Sequence, residues 1–347
     1  MPELSIIIVN YKNQDLILQC VQSIIDYEPQ LSYEIIVVDN HSEDDSEEKL
    51  KTIYPELKWI PMAYNSGFGR ANNKGIAAAN GEYILLLNSD VIVKDKNTIF
   101  NCLEQLKSLP EPNKTVLGTR LINEDGSFQE TLRLKFPGIR REFRANAFYI
   151  LIVERLLKRK SNAKEKALQK EAHFHSGEVE WINGAFLLMN LAEIKNQELF
   201  FDSDFFLYGE DVEWCWRAKK SGMKFYHWQE QELIHIGSAS AGSFGQKKRF
   251  QQIQASDWLY LKKTRGSFYT FLTMMLVCKN QLLDSTLYFL AKLRRKSFSD
   301  SEKLQRVQRK WTYENLKRFY YRILFLKNFS DKNSFVVNCY SESSRPR

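Results

Sequence analysis

The sequence predicts an α/β fold, a mostly parallel central sheet flanked by helices, followed by a C-terminal helical extension. Three observations predict it. Short, continuous apolar runs of strand length alternate with stretches of helical periodicity, the pattern of parallel strands buried on both faces. Several of these runs end in Asn or Asp, where open α/β sheets bind ligands. Past Gly245 the strand pattern stops and basic helices take over.

The first strand is Leu4 to Asn10, leaving by the turn Tyr11-Lys12-Asn13. Asp15 to Tyr27 follows with apolar Leu16, Val21, Ile24 and Ile25 near helical spacing. Glu34 to Asp39 is a β-branched strand ending in Asp39-Asn40, and the acidic Ser/Asp/Glu segment after it caps a helix around Glu47 to Ile53. Leu57 to Pro61 is a third strand. The glycine-containing loop Asn65 to Asn73 leads into a helix from Lys74 to Ala79. Gly81 then returns the chain to the apolar strand that closes on Asn88-Ser89-Asp90. As residue types these three also make a simple turn. Four strand ends, Asn10-Tyr11, Asp39-Asn40, Asn65 to Asn73 and Asn88 to Asp90, thereby converge on one edge in the outline of a ligand site. Neither GxGxxG nor GxxxxGK[ST] occurs, so dinucleotide and P-loop readings are poor. A carboxylate reading a base or ribose, with a metal at Asp90 screening phosphates, remains open.

The net charge of +8 is unevenly spread. Residues 247–347 hold 22 Lys and Arg against 7 Asp and Glu, while residues 1–246 hold 28 against 35. A mildly acidic body with a strongly basic tail suits an anionic surface. The five scattered cysteines lack CxxC or Cys/His spacing, which points away from disulfides and zinc and toward a reducing compartment. The N-terminus shows no basic n-region or cleavage signal, so a cytoplasmic location is expected.

Taken together, Ser5 to Lys12, Val37 to Asn40, Asn65 to Asn73 and Leu87 to Asp90 resemble the donor half of family 2 glycosyltransferases, and Trp181 to Ala185 with Phe201 to Arg217 resembles their acceptor half. The match spans roughly residues 3–245, and the nearest subgroup holds bacterial rhamnosyltransferases and related enzymes of cell-surface polysaccharide assembly. The resemblance implies a GT-A type, Rossmann-like fold and an inverting hexosyltransferase. Asp39 would bind the base or ribose of a dTDP- or UDP-sugar. Asn10, Tyr11, Asn40, Asn65, Gly67, Phe68, Arg70, Asn72, Asn73, Asn88, Ser89 and Asp90 would complete the donor site. Asp90 would hold Mg²⁺ or Mn²⁺ as the second acid of a DXD motif whose first position is Asn88 here, one charged ligand fewer. His235 would stand near the diphosphate and metal. Asp211, beside Glu210, would be the catalytic base, and Trp181, Asn183, Gly184, Ala185 and Tyr208 would face the acceptor.

The domains implied are a catalytic body over 1–245, with a nucleotide-sugar half at 1–118 and an acceptor half at 119–245, then a basic helical extension over 246–340 and a disordered tail at 341–347. An insertion or surface excursion falls at 133–178. Glu210-Asp211 has a plainer alternative as the acidic start of a helix from Val212 to Lys219. His173 and His175, in a polar segment, are expected to be solvated loop residues rather than metal ligands, and Trp181 is expected to fill core rather than stack on a sugar.

In the extension, Lys247 to Lys263 is a basic helix, Phe268 to Cys278 an apolar run of eleven residues, and Leu282 to Leu293 its helical continuation. A membrane span needs about 20 residues, so the run is expected to lie in a membrane interface at the inner face of the cell membrane, or to pack internally or in a homodimer. The acceptor is then a glycan or a lipid-linked sugar. A nucleotidyltransferase is the competing enzyme class, and a nucleic-acid-binding protein the competing non-enzyme. The basic region shows no zinc-finger or RNA-recognition pattern, so nucleic acid is not the expected partner.

Overall fold

A computed structural model describes residues 1–138, 163–237 and 245–293, with residues 304, 307–308 and 310–317 beyond them. In chain order the elements are β1 (Leu4–Asn10), α1 (Gln14–Tyr27), β2 (Tyr33–Asp39), α2 (Ser46–Ile53), β3 (Lys58–Pro61), α3 (Phe68–Ala78), β4 (Tyr83–Asn88), β5 (Val91–Ile92), α4 (Thr98–Ser108), β6 (Thr115–Ile122) and β7 (Leu132–Arg133). Then come α5 (Ala163–Glu171), β8 (Gly177–Val179), β9 (Trp181–Ile182), β10 (Phe186–Asn190), α6 (Leu191–Asn196), α7 (Glu210–Lys220), β11 (Lys224–His235), α8 (Gly245–Arg265) and α9 (Ser267–Leu293).

Nine strands form one sheet in the order β3-β2-β1-β4-β10-β6-β11-β5, with β8 pairing onto β11. The pairs among β1 to β4 and the β6–β11 pair are parallel, whereas β10, β5 and β8 run antiparallel to their neighbours. The continuous apolar runs follow from this. Leu4, Ile6 and Ile8 pack with α1, α2 and α4, while Ile7, Ile36, Ile84 and Leu86 pack with α3, α6 and α7. Strands alternate faces every residue, so a strand covered on both sides is apolar at every position.

Two helix starts show how the layers lock. The N-cap Asn97 makes no side-chain cap to α4. Glu28, at the end of α1, takes that place, its carboxylate accepting from Ile99 N at 2.7 Å and Phe100 N at 3.0 Å. Burial pushes this carboxyl up to about 7, against the backbone bonds that pull it down. Helix α3 begins at Phe68, six residues before the Lys74 expected from the sequence, because Gly67 ends the loop with φ +90° and no side chain in the way.

The chain divides into two compact units, Met1–Phe136 with Leu168–Ser243, and Pro137–Ala167 with Phe244–Arg347. The excursion at 133–178 is therefore shared between them, and its residues 139–162 lie outside the described residues, as do the tail at 341–347 and Cys339. In the second unit α8 packs on α9, and Gly266, with φ +89°, separates them. The apolar run and its continuation form a single helix, α9. Among the described residues no helix is long and apolar enough to cross a membrane.

His173 corrects the expectation of a solvated loop residue. It is buried, its Nε2 accepts the backbone N–H of Thr131 at 3.1 Å and of Leu132 at 3.3 Å, and its ring meets Phe128 edge-on. Two backbone donors on one ring nitrogen require the neutral form, and burial lowers its pKa accordingly. The polar sequence around it concealed that it plugs the start of β7. His175 is exposed, as expected.

Candidate active site

The sheet edge at the carboxyl ends of β1, β2 and β4 gathers the expected polar residues. Asn10, fully buried at the end of β1, donates from Nδ2 to Asp39 Oδ1 at 3.0 Å and to Ser42 Oγ at 3.2 Å. Ser42 N donates to Asp39 Oδ2 at 3.0 Å. These bonds orient the Asp39 carboxylate, and Asn10 Oδ1 is buried without a partner among the described residues. Asn40 is a second junction, accepting at Oδ1 from Ser66 N and Oγ and donating from Nδ2 to Asn65 Oδ1 at 2.9 Å. Ser42 and Ser66 were not singled out from the sequence, where nothing separates them from other loop serines.

The Asn65–Asn73 segment is held against the stretch before α7. Phe68 N donates to Phe206 O at 2.9 Å, and Arg70 Nε to Ser203 O at 2.9 Å. Asn73 pairs with the backbone of Phe201 in both directions at 2.8 Å. Asn72 donates to Phe68 O at 3.0 Å. The bonds of Phe68, Arg70 and Asn73 tie this segment to the stretch before α7. A Cβ at Gly67 would stand 2.2 Å from Phe206 O, at a φ of +90° that side chains avoid. Gly67→Ala is accordingly expected to cost at least about 2 kcal/mol, seen as a lower urea midpoint with the slope unchanged. A midpoint equal to the parent's would mean that the two loops are not tightly docked.

The Asn88–Asp90 corner faces the end of β11. Asp90 Oδ1 lies 3.2 Å from His235 Nε2, both groups mostly buried, and Asn88 Nδ2 lies 3.3 Å from the same nitrogen. Gln129 Nε2 donates to Asn123 Oδ1 and His235 O, which leaves its Oε1 to accept from His235 Nδ1 at 2.8 Å. The imidazole is thus held by its far nitrogen with Nε2 toward Asp90, the orienting arrangement of a ligating histidine. Gln129 carried no sequence signal. Asn88 Oδ1 is buried without a partner among the described residues. Asp90, His235 and that orphaned oxygen fit a divalent cation. One carboxylate with room for phosphate and water is the donor set that Mg²⁺ takes.

Helix α7 starts at Glu210 after two successive positive-φ residues, Tyr208 at +66° and Gly209 at +80°. A non-glycine residue in that region is strained and clusters at working sites. Glu210 is buried and Oε2 lacks a partner among the described residues. Asp211 accepts from Gly184 N at 3.3 Å and from Val212 N at 2.8 Å. A Cβ at Gly184 would touch the Phe68 ring and Asp211 Cβ, so Asp211, Gly184 and Phe68 are neighbours. Burial raises both carboxyls, Glu210 to about 8, with the adjacent Asp211 charge adding to its shift. Backbone bonds from Val212 and Gly184 work against that rise at Asp211 by favouring its ionised form.

The turn Asn183-Gly184-Ala185 joins these parts. Ala185 O accepts from Asn88 N at 3.1 Å while Gly184 N donates to Asp211. Asn183 N bonds to Thr131 O at 2.8 Å, the strand end that His173 secures. Trp181 is partly buried against the core and donates to Lys135 O at 3.3 Å.

A mostly parallel sheet with carboxylates at its strand ends and a third acid at the start of a helix is the arrangement that the resemblance to GT-A glycosyltransferases implied. The family model for "Glycosyl transferase family 2" matches residues 5–176, and the chain is a glycosyltransferase. It is 27% identical over 271 residues to the rhamnosyltransferase WbbL of Escherichia coli (strain K12), covering 75% of this chain and 93% of that one. It is 24% identical over 240 residues to the low-salt glycan biosynthesis hexosyltransferase Agl10 of Haloferax volcanii, 68% and 67% of the two chains. Among solved structures, the mannosyltransferase PcManGT from Pyrobaculum calidifontis, in complex with GDP-Man and Mn²⁺, superposes with a TM-score of 0.50 at 12% identity, covering 92% of this chain and 88% of that one. At that identity the likeness speaks for the fold. The enzyme class retires the nucleotidyltransferase reading.

Proposed function

We propose that the protein is an inverting hexosyltransferase of cell-surface polysaccharide assembly, moving a sugar from a pyrimidine nucleotide donor, with dTDP-rhamnose the first candidate, to a hydroxyl of a lipid-linked or polysaccharide acceptor. Its site of action on this reading is the inner face of the cell membrane. The observation that carries the proposal is Asp211, a carboxylate held by two backbone N–H groups, separate from the Asp39 and Asp90 strand ends yet linked to the latter through Gly184, Ala185 and Asn88.

Asp39 reads the ribose or base, supported by its rigid contacts to Asn10 and Ser42. Asp90, His235 and Asn88 Oδ1 would hold a divalent cation, which would supply charge neutralisation for the departing diphosphate. Asp211 takes the proton from the attacking hydroxyl as general base. With one base and no second carboxylate acting as nucleophile, the acceptor oxygen displaces the nucleotide from the far face and the anomeric centre inverts. The Phe68 ring beside Gly184 supplies an apolar wall.

Thermal-shift and hydrolysis measurements with dTDP-, UDP- and GDP-sugars, each with and without Mn²⁺, test this. A pyrimidine nucleotide sugar is expected to raise the melting temperature most and only with the metal. Stabilisation by GDP-sugars alone would overturn the pyrimidine assignment.

A further inference from the structure

Helix α9 carries its polarity reversed. Its covered side holds Thr270, Thr273 and Met274, all nearly inaccessible, each threonine donating its hydroxyl to the carbonyl four residues earlier at 3.0 Å. The opposite side leaves Phe268 74%, Leu272 42%, Met275 50% and Leu282 72% exposed. At 3.6 residues per turn, positions 268, 272, 275 and 282 form one stripe, and exposed Lys279 lies within it. A surface helix ordinarily does the reverse, and an exposed apolar row of this kind marks an interaction surface.

We propose that this stripe is the face by which the protein lies on an anionic lipid surface, with Phe268, Leu272, Met275 and Leu282 entering the acyl boundary. Charge selects the occupant. Lys262, Lys263 and Arg265 precede the stripe, and residues 247–347 hold 22 basic against 7 acidic side chains. Phosphate-bearing headgroups match that excess, whereas a second copy would bring two strongly basic regions together. No described helix is long and apolar enough to cross a bilayer, so the helix lies along the interface rather than through it. The proposal deepens the functional reading, resting on a lipid-linked acceptor for its purpose, since a membrane-held enzyme meets such an acceptor in two dimensions.

Vesicle co-sedimentation of the full chain, without donor or acceptor, tests the surface independently of the sugar chemistry. The protein is expected to bind vesicles of phosphatidylcholine mixed with phosphatidylglycerol and to ignore phosphatidylcholine alone. High salt should weaken binding partly, through the charge contribution alone. Replacing Leu272→Glu and Met275→Glu together should reduce partitioning by at least about tenfold, with the melting temperature and transfer to a soluble acceptor retained, because both side chains are already half exposed. Phe268→Trp supplies a second measurement that needs no destabilising change, the emission it adds to the parent's moving to the blue on vesicle binding. Indifference of the intact protein to anionic vesicles at low salt would overturn the proposal. So would unaltered binding by the folded double variant, an added emission in Phe268→Trp that does not shift, or a double variant that changes only from dimer to monomer by light scattering.

Discussion

Asp211→Asn is expected to reduce sugar transfer by about 10²–10⁴-fold while leaving donor binding close to that of the parent. The amide keeps the shape of the side chain and one of the two oxygens that accept the Val212 and Gly184 N–H groups, but cannot accept the acceptor's proton. The loss therefore falls on kcat, and the donor's dissociation constant, measured by calorimetry, stays put. Because burial raises the Asp211 carboxyl, activity should fall on acidification at a pH above the ordinary carboxylate range, as the base acquires its proton. The stability sign runs the other way. Glu210 and Asp211 are raised in the folded state, so their contribution is complete below their unfolded values and is lost as pH rises through the folded ones, for Glu210 at about 8. Glu210→Gln removes one of those titrations and should make the chain comparatively more stable above that pH. Near-parental turnover by folded Asp211→Asn would remove the residue from this role.

Asp90→Ala should weaken donor binding and the response to divalent ions together, by about 10²-fold or more in kcat/KM. The variant strips the carboxylate from the corner that His235 and Asn88 complete, so the two effects have one cause. Gln129→Ala is the milder companion. It frees His235 Nδ1 without touching the corner itself, and a fall of about 10–100-fold in Mn²⁺ affinity is expected, with donor affinity at saturating metal preserved. If EDTA leaves the parent rate unchanged while Asp90→Ala is inactive, the carboxylate contacts the donor without a cation.

The strand ends were legible because a buried parallel strand announces itself by unbroken hydrophobicity, and the polar residue that stops it marks the edge where it stops. Asn10, Asp39 and Asp90 were found that way. Strand β10, Phe186 to Asn190, has the same apolar character, yet its antiparallel insertion between β4 and β6 has no local signature, since hydrogen-bond direction is set by the partner strands. Helix α3 was placed too far along because Gly67, Arg70 and Asn73 look like loop residues until their partners in Phe201–Phe206 are known. His173 was misplaced for the same reason, its two donors lying some forty residues earlier on β7 and the residue before it.

By itself the sequence determined the α/β layering, the family and the acids at the strand ends, because each is written in periodicity or in short contiguous motifs. Only the tertiary structure decided which groups share a corner. His235 meets Asp90 across 145 residues of chain, Gln129 turns the imidazole from a third segment, and Gly184 brings its N–H to Asp211. The reversed polarity of α9 belongs to that second kind as well. Its apolar run reads alike whether it faces a core or a solvent, and only the packing of Thr270, Thr273 and Met274 inward leaves Phe268 and Leu282 outside.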